Sequence, residues 1–132
     1  MTNLIIYCFY AAAAAIAIAG ILHLMLVPNV IRFSHSIGIF FLIAGIAQLF
    51  WTIPTIRRWS RKWHYIGMAG TIVLITLFFI TRVPNPITGG RALPIISVGI
   101  VTEVFEFIYV GIIAFILTKQ GRMTAKQKQQ LR

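Results

Sequence analysis

Residues Ile95 to Leu117 read IISVGIVTEVFEFIYVGIIAFIL, an apolar run broken only by threonine, serine and the acids Glu103 and Glu106. These are the only two acidic residues in a chain of 132. On a helix, positions three apart share a face, and Gly99 lies on the same side, one turn before Glu103. An ionisable side chain in hydrocarbon is costly, and one that persists faces protein or water. The carboxylate face of this run therefore needs partners from the rest of the chain.

Three more apolar runs supply them: about Leu4–Val27, Ser36–Ile53 and Tyr65–Thr81. Each is near or above the ~18 residues that span a bilayer. Pro28, Pro54, Pro84, Pro86 and Pro94 flank the runs, where helices are expected to stop. Composition agrees: 59% of residues are hydrophobic and 11% charged, with a mean hydropathy of +0.90. Soluble domains carry about 25% charged residues. A soluble enzyme and a disordered chain are excluded, as is a disulfide scaffold, because Cys8 stands alone. The expectation is an all-α, four-helix transmembrane bundle in one domain, residues 1–118, with helices about 4–27, 36–53, 65–81 and 95–117. Residues 119–132 form a basic polar tail, read as a frayed extension of the last helix. The first run lacks the basic start of a signal peptide and is too long for one, so it is read as retained.

The net charge of +10 would point to nucleic acid in a soluble protein. Here the basic residues sort to the helix ends. Arg57, Arg58, Arg61, Lys62, Lys119, Arg122, Lys126, Lys128 and Arg132 fall on one side, and Arg32, Arg82 and Arg91 on the other. The positive-inside rule then expects both termini in the cytoplasm. Trp51, Trp59, Trp63 and Tyr65 flank the most basic loop as an interfacial aromatic belt. The expected partners are the lipid bilayer of the cell membrane and other membrane subunits or further copies of the chain, with no nucleic acid.

Small and polar residues recur at helical spacing in the other runs, and small stripes let helices approach closely. The first run has Ala12, Ala15, Ala19 and His23; the second has His35, Gly38, Gly45, Gln48 and Thr52; the third has Gly67, Gly70, Leu74, Leu77 and Thr81. His23 falls ~6 Å inside the outer end of its run and Glu103 ~12 Å inside, with Glu106 near the midplane. The expected intramembrane polar network is His23, Gln48, Arg82, Glu103 and Glu106. His64 is assigned to the inner loop and left out of it.

Three chemistries fit these residues. One is structural, with Glu103 protonated or bonded to His23 or His35 and with Arg82 or Arg91 closing the network. The second is a metal site of His23, His35 and Glu103, a ligand set suited to copper, zinc or iron. The third is proton or small-solute handling along the acids, Gln48 and the histidines. Haem is disfavoured because His23 and His35 flank one tight loop. Cys8, Met25, Met68 and the paired phenylalanines Phe78-Phe79 and Phe105/Phe107 read as packing or lipid contact. Thr88-Gly89-Gly90-Arg91 reads as a turn, lacking the strand-to-helix setting of a phosphate loop.

A Gly-x-x-His-Leu element at Gly20–Leu24, a Gly-x-Phe-Phe…Gly-Ile-Ala-Gln stretch at Gly38–Gln48 and a Thr-Arg-x-Pro element at Thr81–Pro84 precede the acidic last helix with Glu103. Together they resemble uncharacterised small four-helix integral membrane proteins of actinobacteria and archaea. The resemblance implies a four-helix fold and no activity, and it singles out His23, Gln48, Arg82 and Glu103. In size, helix content and basic tail the chain is also similar to accessory subunits of archaeal membrane-bound ammonia (copper) monooxygenase. With short loops and no catalytic constellation, the expected function is a non-catalytic accessory or scaffold subunit of a larger membrane complex, such as a membrane monooxygenase. The alternatives are a self-contained metal- or small-ligand-binding protein using His23, His35 and Glu103, and a proton-coupled small-solute transporter. No cofactor is firmly implied.

Overall fold

The computed structural model describes residues 2–131; Arg132, counted above among the tail charges, lies outside the described residues, as does Met1. The described chain is all-helical. Helix α1 is Asn3–Val30, α2 His35–Ile56, α3 Arg61–Thr81 and α4 Ser97–Gln130, with a short 3₁₀ turn at Pro86–Thr88. All four α-helices are long and apolar enough to cross a membrane.

The helices overrun several of the expected ends. Pro28 and Pro54 lie inside α1 and α2 rather than after them. Each sits two residues before the end of its helix, where a proline removes one backbone donor and leaves the remaining bonds intact. Ile31 N–H still reaches the Val27 carbonyl at 2.9 Å, and Arg57 N–H reaches that of Ile53 at 2.9 Å. Helix α2 starts one residue earlier than expected because Ser34 caps it, its hydroxyl accepting from Ile37 N–H at 3.4 Å. Helix α3 starts at Arg61, which brings His64 into its first turn. The polar tail is not a separate segment: α4 runs through it to Gln130.

Helix α1 packs against both α2 and α4, and α3 lies on α4 with a lighter contact to α2. Glycines set the closest approach. A Cβ on Gly20 would stand 3.0 Å from the Gly45 carbonyl oxygen, and one on Gly45 would stand 2.9 Å from that of Gly20. The two backbones therefore touch, and His23 and Gln48 meet beside this close approach. The apolar core is shared by Ile5, Phe9 and Ile16 of α1 and by Ile113, Ile116 and Leu117 of α4. On α3 the inward stripe is His64, Gly67, Thr71 and Ile75. Gly70, expected on that stripe, is exposed with open space around it, because it lies about 100° round the helix from the centre of the stripe.

The outer faces are apolar, with Ile43, Ile46, Ile72, Val73, Phe79 and Phe107 all exposed, while Glu103, Glu106, His23 and His64 are inside. Apolar-out and polar-in suits hydrocarbon surroundings, since exposed apolar patches of this extent are rare on soluble monomers. The bundle has two unlike ends. One carries the α2–α3 loop, the start of α1 and the far part of α4, and is closed by tryptophans; it is called the tryptophan end below. The other carries the α1–α2 and α3–α4 connections and holds a cavity.

Candidate functional site

The site starts from the Gly20–Gly45 contact. Beside it, His23 Nδ1 lies 2.9 Å from Gln48 Oε1 and 3.1 Å from the Ala19 carbonyl oxygen. Both partners are acceptors, so the network assigns the proton to Nδ1. The Gln48 amide then donates through Nε2 to Glu106 Oε1 at 2.5 Å. His23, Gln48 and Glu106 thus form one buried chain across α1, α2 and α4. His23 Nδ1 lies 3.8 Å from Glu106 Oε1, and the imidazole rests on the Phe41 ring with centroids 5.3 Å apart. The sequence paired His23 with Glu103. Glu106 takes that place, because it lies level with Gln48 while Glu103 is a turn nearer the cavity end.

Glu103 faces a different partner. It is 7% exposed and turns into a cavity of about 210 Å³ between the helices. His23, Ser36, Thr81, Arg82, Thr102 and Glu103 supply the polar lining, and Phe40, Phe41, Leu74, Leu77 and Phe78 much of the apolar wall. Arg82, at the C-terminal cap of α3, lies over the Phe78 ring with its guanidinium carbon 4.1 Å from the centroid. Burial holds the pKa of this guanidinium below its ordinary value, and the nearby Glu103 carboxylate offsets only part of that. The two groups feel each other without closing: Arg82 Nε and Glu103 Oε2 are both buried and bonded to no described residue. Buried polar atoms are nearly always hydrogen-bonded, and these two lie at the same cavity without that satisfaction from described residues.

The approach is built by the α3–α4 connection. Asn85 holds it folded: its amide donates to the Ile80 and Val83 carbonyls at 2.9 and 2.8 Å, and its Oδ1 accepts from Ile87 N–H at 2.8 Å. Gly89 and Gly90 adopt positive φ of 65° and 79°, a region that favours glycine. Thr88-Gly89-Gly90-Arg91 is accordingly a turn. Leu93 N–H returns to the Thr81 carbonyl at 2.8 Å, which lays Leu93 over the cavity. A second, wider hollow of about 770 Å³ continues outward past Arg82, Leu93, Arg91 and Asn29.

Other expected residues fall elsewhere. His35 is exposed at the first position of α2, so His23, His35 and Glu103 do not converge. Among the described residues no group of three His, Cys, Asp or Glu side chains is placed to hold a metal ion. Arg91 is exposed on the outer hollow and makes no bond to Glu103. Conversely, His64 belongs inside. It is 1% exposed and stacks near Phe9, with ring centroids 5.1 Å apart. Tyr109, fully buried, was overlooked by sequence reasoning although Glu103, Glu106 and Tyr109 follow one another at three-residue steps, each beside the next on the helix surface.

Comparison of the chain with protein-family models, with curated proteins and with solved structures gives no match in any of the three.

Proposed function

We propose that this is a ligand-binding membrane protein whose cavity takes a small lipophilic molecule ending in a hydroxyl, such as an alkylphenol or an alcohol. The observation that carries the reading is the open pair of Arg82 and Glu103 on an otherwise apolar cavity wall. A guanidinium only donates and a carboxylate only accepts. A hydroxyl does both: its oxygen accepts from Arg82 while its proton goes to Glu103. The aromatic and leucine wall matches an apolar body, and few, well-placed polar groups on an apolar surface are the usual make-up of small-molecule sites. The contact between α2 and α3 is light, and Phe40, Leu74 and Phe78 line the cavity between them.

The test is equilibrium binding of 4-propylphenol to the detergent-solubilised protein, with 4-propyltoluene as the hydroxyl-free control. The phenol is expected to bind at least about tenfold more tightly, a difference of ~1.4 kcal/mol. The Leu74→Trp variant, whose indole fills the cavity, is expected to lose binding while keeping its helicity. Equal affinity for the two probes, or undisturbed binding by Leu74→Trp, removes the reading.

A second reading, an accessory subunit of a larger complex such as a membrane monooxygenase, draws support from α4. Residues 122–130 are exposed along their whole length and carry Arg122, Lys126 and Lys128, a surface suited to an acidic partner. The positive-inside rule puts this segment in the cytoplasm of a cell with the chain in its membrane. A stoichiometric protein partner retained in mild detergent supports this reading, and a lone chain counts against it.

A further inference from the structure

The polar groups do not stop at the cavity. Beyond the His23–Gln48–Glu106 chain, Glu106 Oε2, the Tyr109 hydroxyl and both ring nitrogens of His64 are buried with no well-formed hydrogen bond among the described residues; the Trp59 backbone stands beside the imidazole. Glu103, Glu106, Tyr109 and His64 are each more than nine-tenths buried. They are also arranged in order. Glu103, Glu106 and Tyr109 succeed one another at three-residue steps on α4, close enough for neighbouring side chains to meet. The Tyr109 hydroxyl lies against Gly67, where an added Cβ would stand 2.6 Å from it, and Gly67 is one turn from His64 on α3. The Thr55 side chain adjoins the same phenol. His64 lies in the first turn of α3 beside the exposed Arg61 and Lys62, at the tryptophan end. Arg82 and His64 are 18 positions apart in the sequence; at ~1.5 Å per residue this is about 27 Å, close to the thickness of a hydrocarbon core.

From this column we infer that the bundle carries a proton path from the cavity to the tryptophan end, through Glu103, Glu106, Tyr109 and His64. Each member both receives and releases a proton. A proton arriving at Glu103 passes to Glu106. The phenol accepts one on its oxygen as it gives up its own towards His64. The imidazole takes a proton at one ring nitrogen and releases the other to the surface. One proton enters and one leaves, and after reorientation every side chain is as it began. The groups facing Glu106 are His23 and Gln48 from α1 and α2 and Glu103 and Tyr109 from α4; Gln48 holds one carboxyl oxygen and leaves the other for transfer. Chains of intramembrane acids and histidines serve this purpose in pumps and transporters. The path does not depend on what the cavity binds.

Its test is proton flux into vesicles of phosphatidylcholine and phosphatidylglycerol holding the full chain and pyranine, driven by a valinomycin-set potassium potential. The wild-type protein is expected to dissipate the gradient faster than protein-free vesicles. Glu106→Gln keeps an acceptor for Gln48, and Tyr109→Phe removes a single oxygen; both are expected to fall to the protein-free rate. Thr76→Val, altered on the exposed face of α3, keeps the wild-type rate. Wild-type flux equal to that of empty vesicles overturns the inference, and so does undiminished flux through Tyr109→Phe. If Glu106→Gln fails to insert, Tyr109→Phe decides. Binding of 4-propylphenol by Tyr109→Phe is expected to stay at the wild-type level, so the path and the ligand reading can fail separately.

Discussion

The tryptophan end and the cavity end are made from the same four helices and differ in how they are closed. At the tryptophan end the Trp51 indole donates to the Trp63 carbonyl at 3.0 Å and stacks on the Trp63 ring, centroids 5.5 Å apart. Gly67 clears the space for that indole and for the Tyr109 hydroxyl. Below them Phe9, Ile113 and Ile116 pack without exposure. At the cavity end, α2 and α3 present Phe40, Leu74, Leu77 and Phe78 to one another across open space, and a guanidinium and a carboxylate are left unbonded. Interiors are close-packed by default. A close-packed end beside an open one, made from the same helices, is the contrast on which the proposed ligand site rests.

The contrast predicts unequal responses to similar substitutions. The largest is expected for Gly67→Leu, whose side chain must displace Trp51 and Tyr109. Overpacking of this kind costs about 3 kcal/mol, read as a lowered midpoint in thermal unfolding monitored by circular dichroism in detergent. Next comes Gln48→Leu, which removes the link between His23 and Glu106 and leaves both buried groups without it. A loss of about 2 kcal/mol is expected from stranding such groups, and a variant as stable as wild type would show that the chain of bonds does not hold α1, α2 and α4 together. The smallest is Gly70→Leu. It adds the same side chain as Gly67→Leu only three positions away, but into open space, and the midpoint is expected to stay within about 0.5 kcal/mol of wild type. Equal effects at Gly67 and Gly70 would break the assignment of the α3 faces.

The number and identity of the helices were legible in the sequence because apolar runs of spanning length have few other uses. Their ends were not. Pro28 and Pro54 look like stops in one dimension, yet a helix tolerates a single missing donor in its last turn. The inward turn of Glu103 and Glu106 followed from the cost of a carboxyl in hydrocarbon. Which of them meets His23 did not follow, since that depends on the relative heights of α1, α2 and α4, set by the Gly20–Gly45 contact. His35 looked equivalent to His23 by residue type, but it is exposed at the first position of its helix. His64 was set aside because the aromatic and basic residues around it suggested a loop. The stripe His64–Gly67–Thr71–Ile75 was present in the sequence at helical spacing and would have recovered it. The cavity itself was illegible, because it arises where α2 and α3 fail to pack, and no local pattern encodes a gap.

The claim at the centre of this account is that Arg82 and Glu103 together hold the hydroxyl of a lipophilic guest. Solid-state nuclear magnetic resonance of arginine-labelled protein in lipid reads it most directly, through the Arg82 Nε signal assigned by its loss in Arg82→Lys. On adding 4-propylphenol that signal is expected to shift, while 4-propyltoluene leaves it in place and Glu103→Gln weakens the response. An Arg82 signal indifferent to the phenol at saturating concentration would contradict the account.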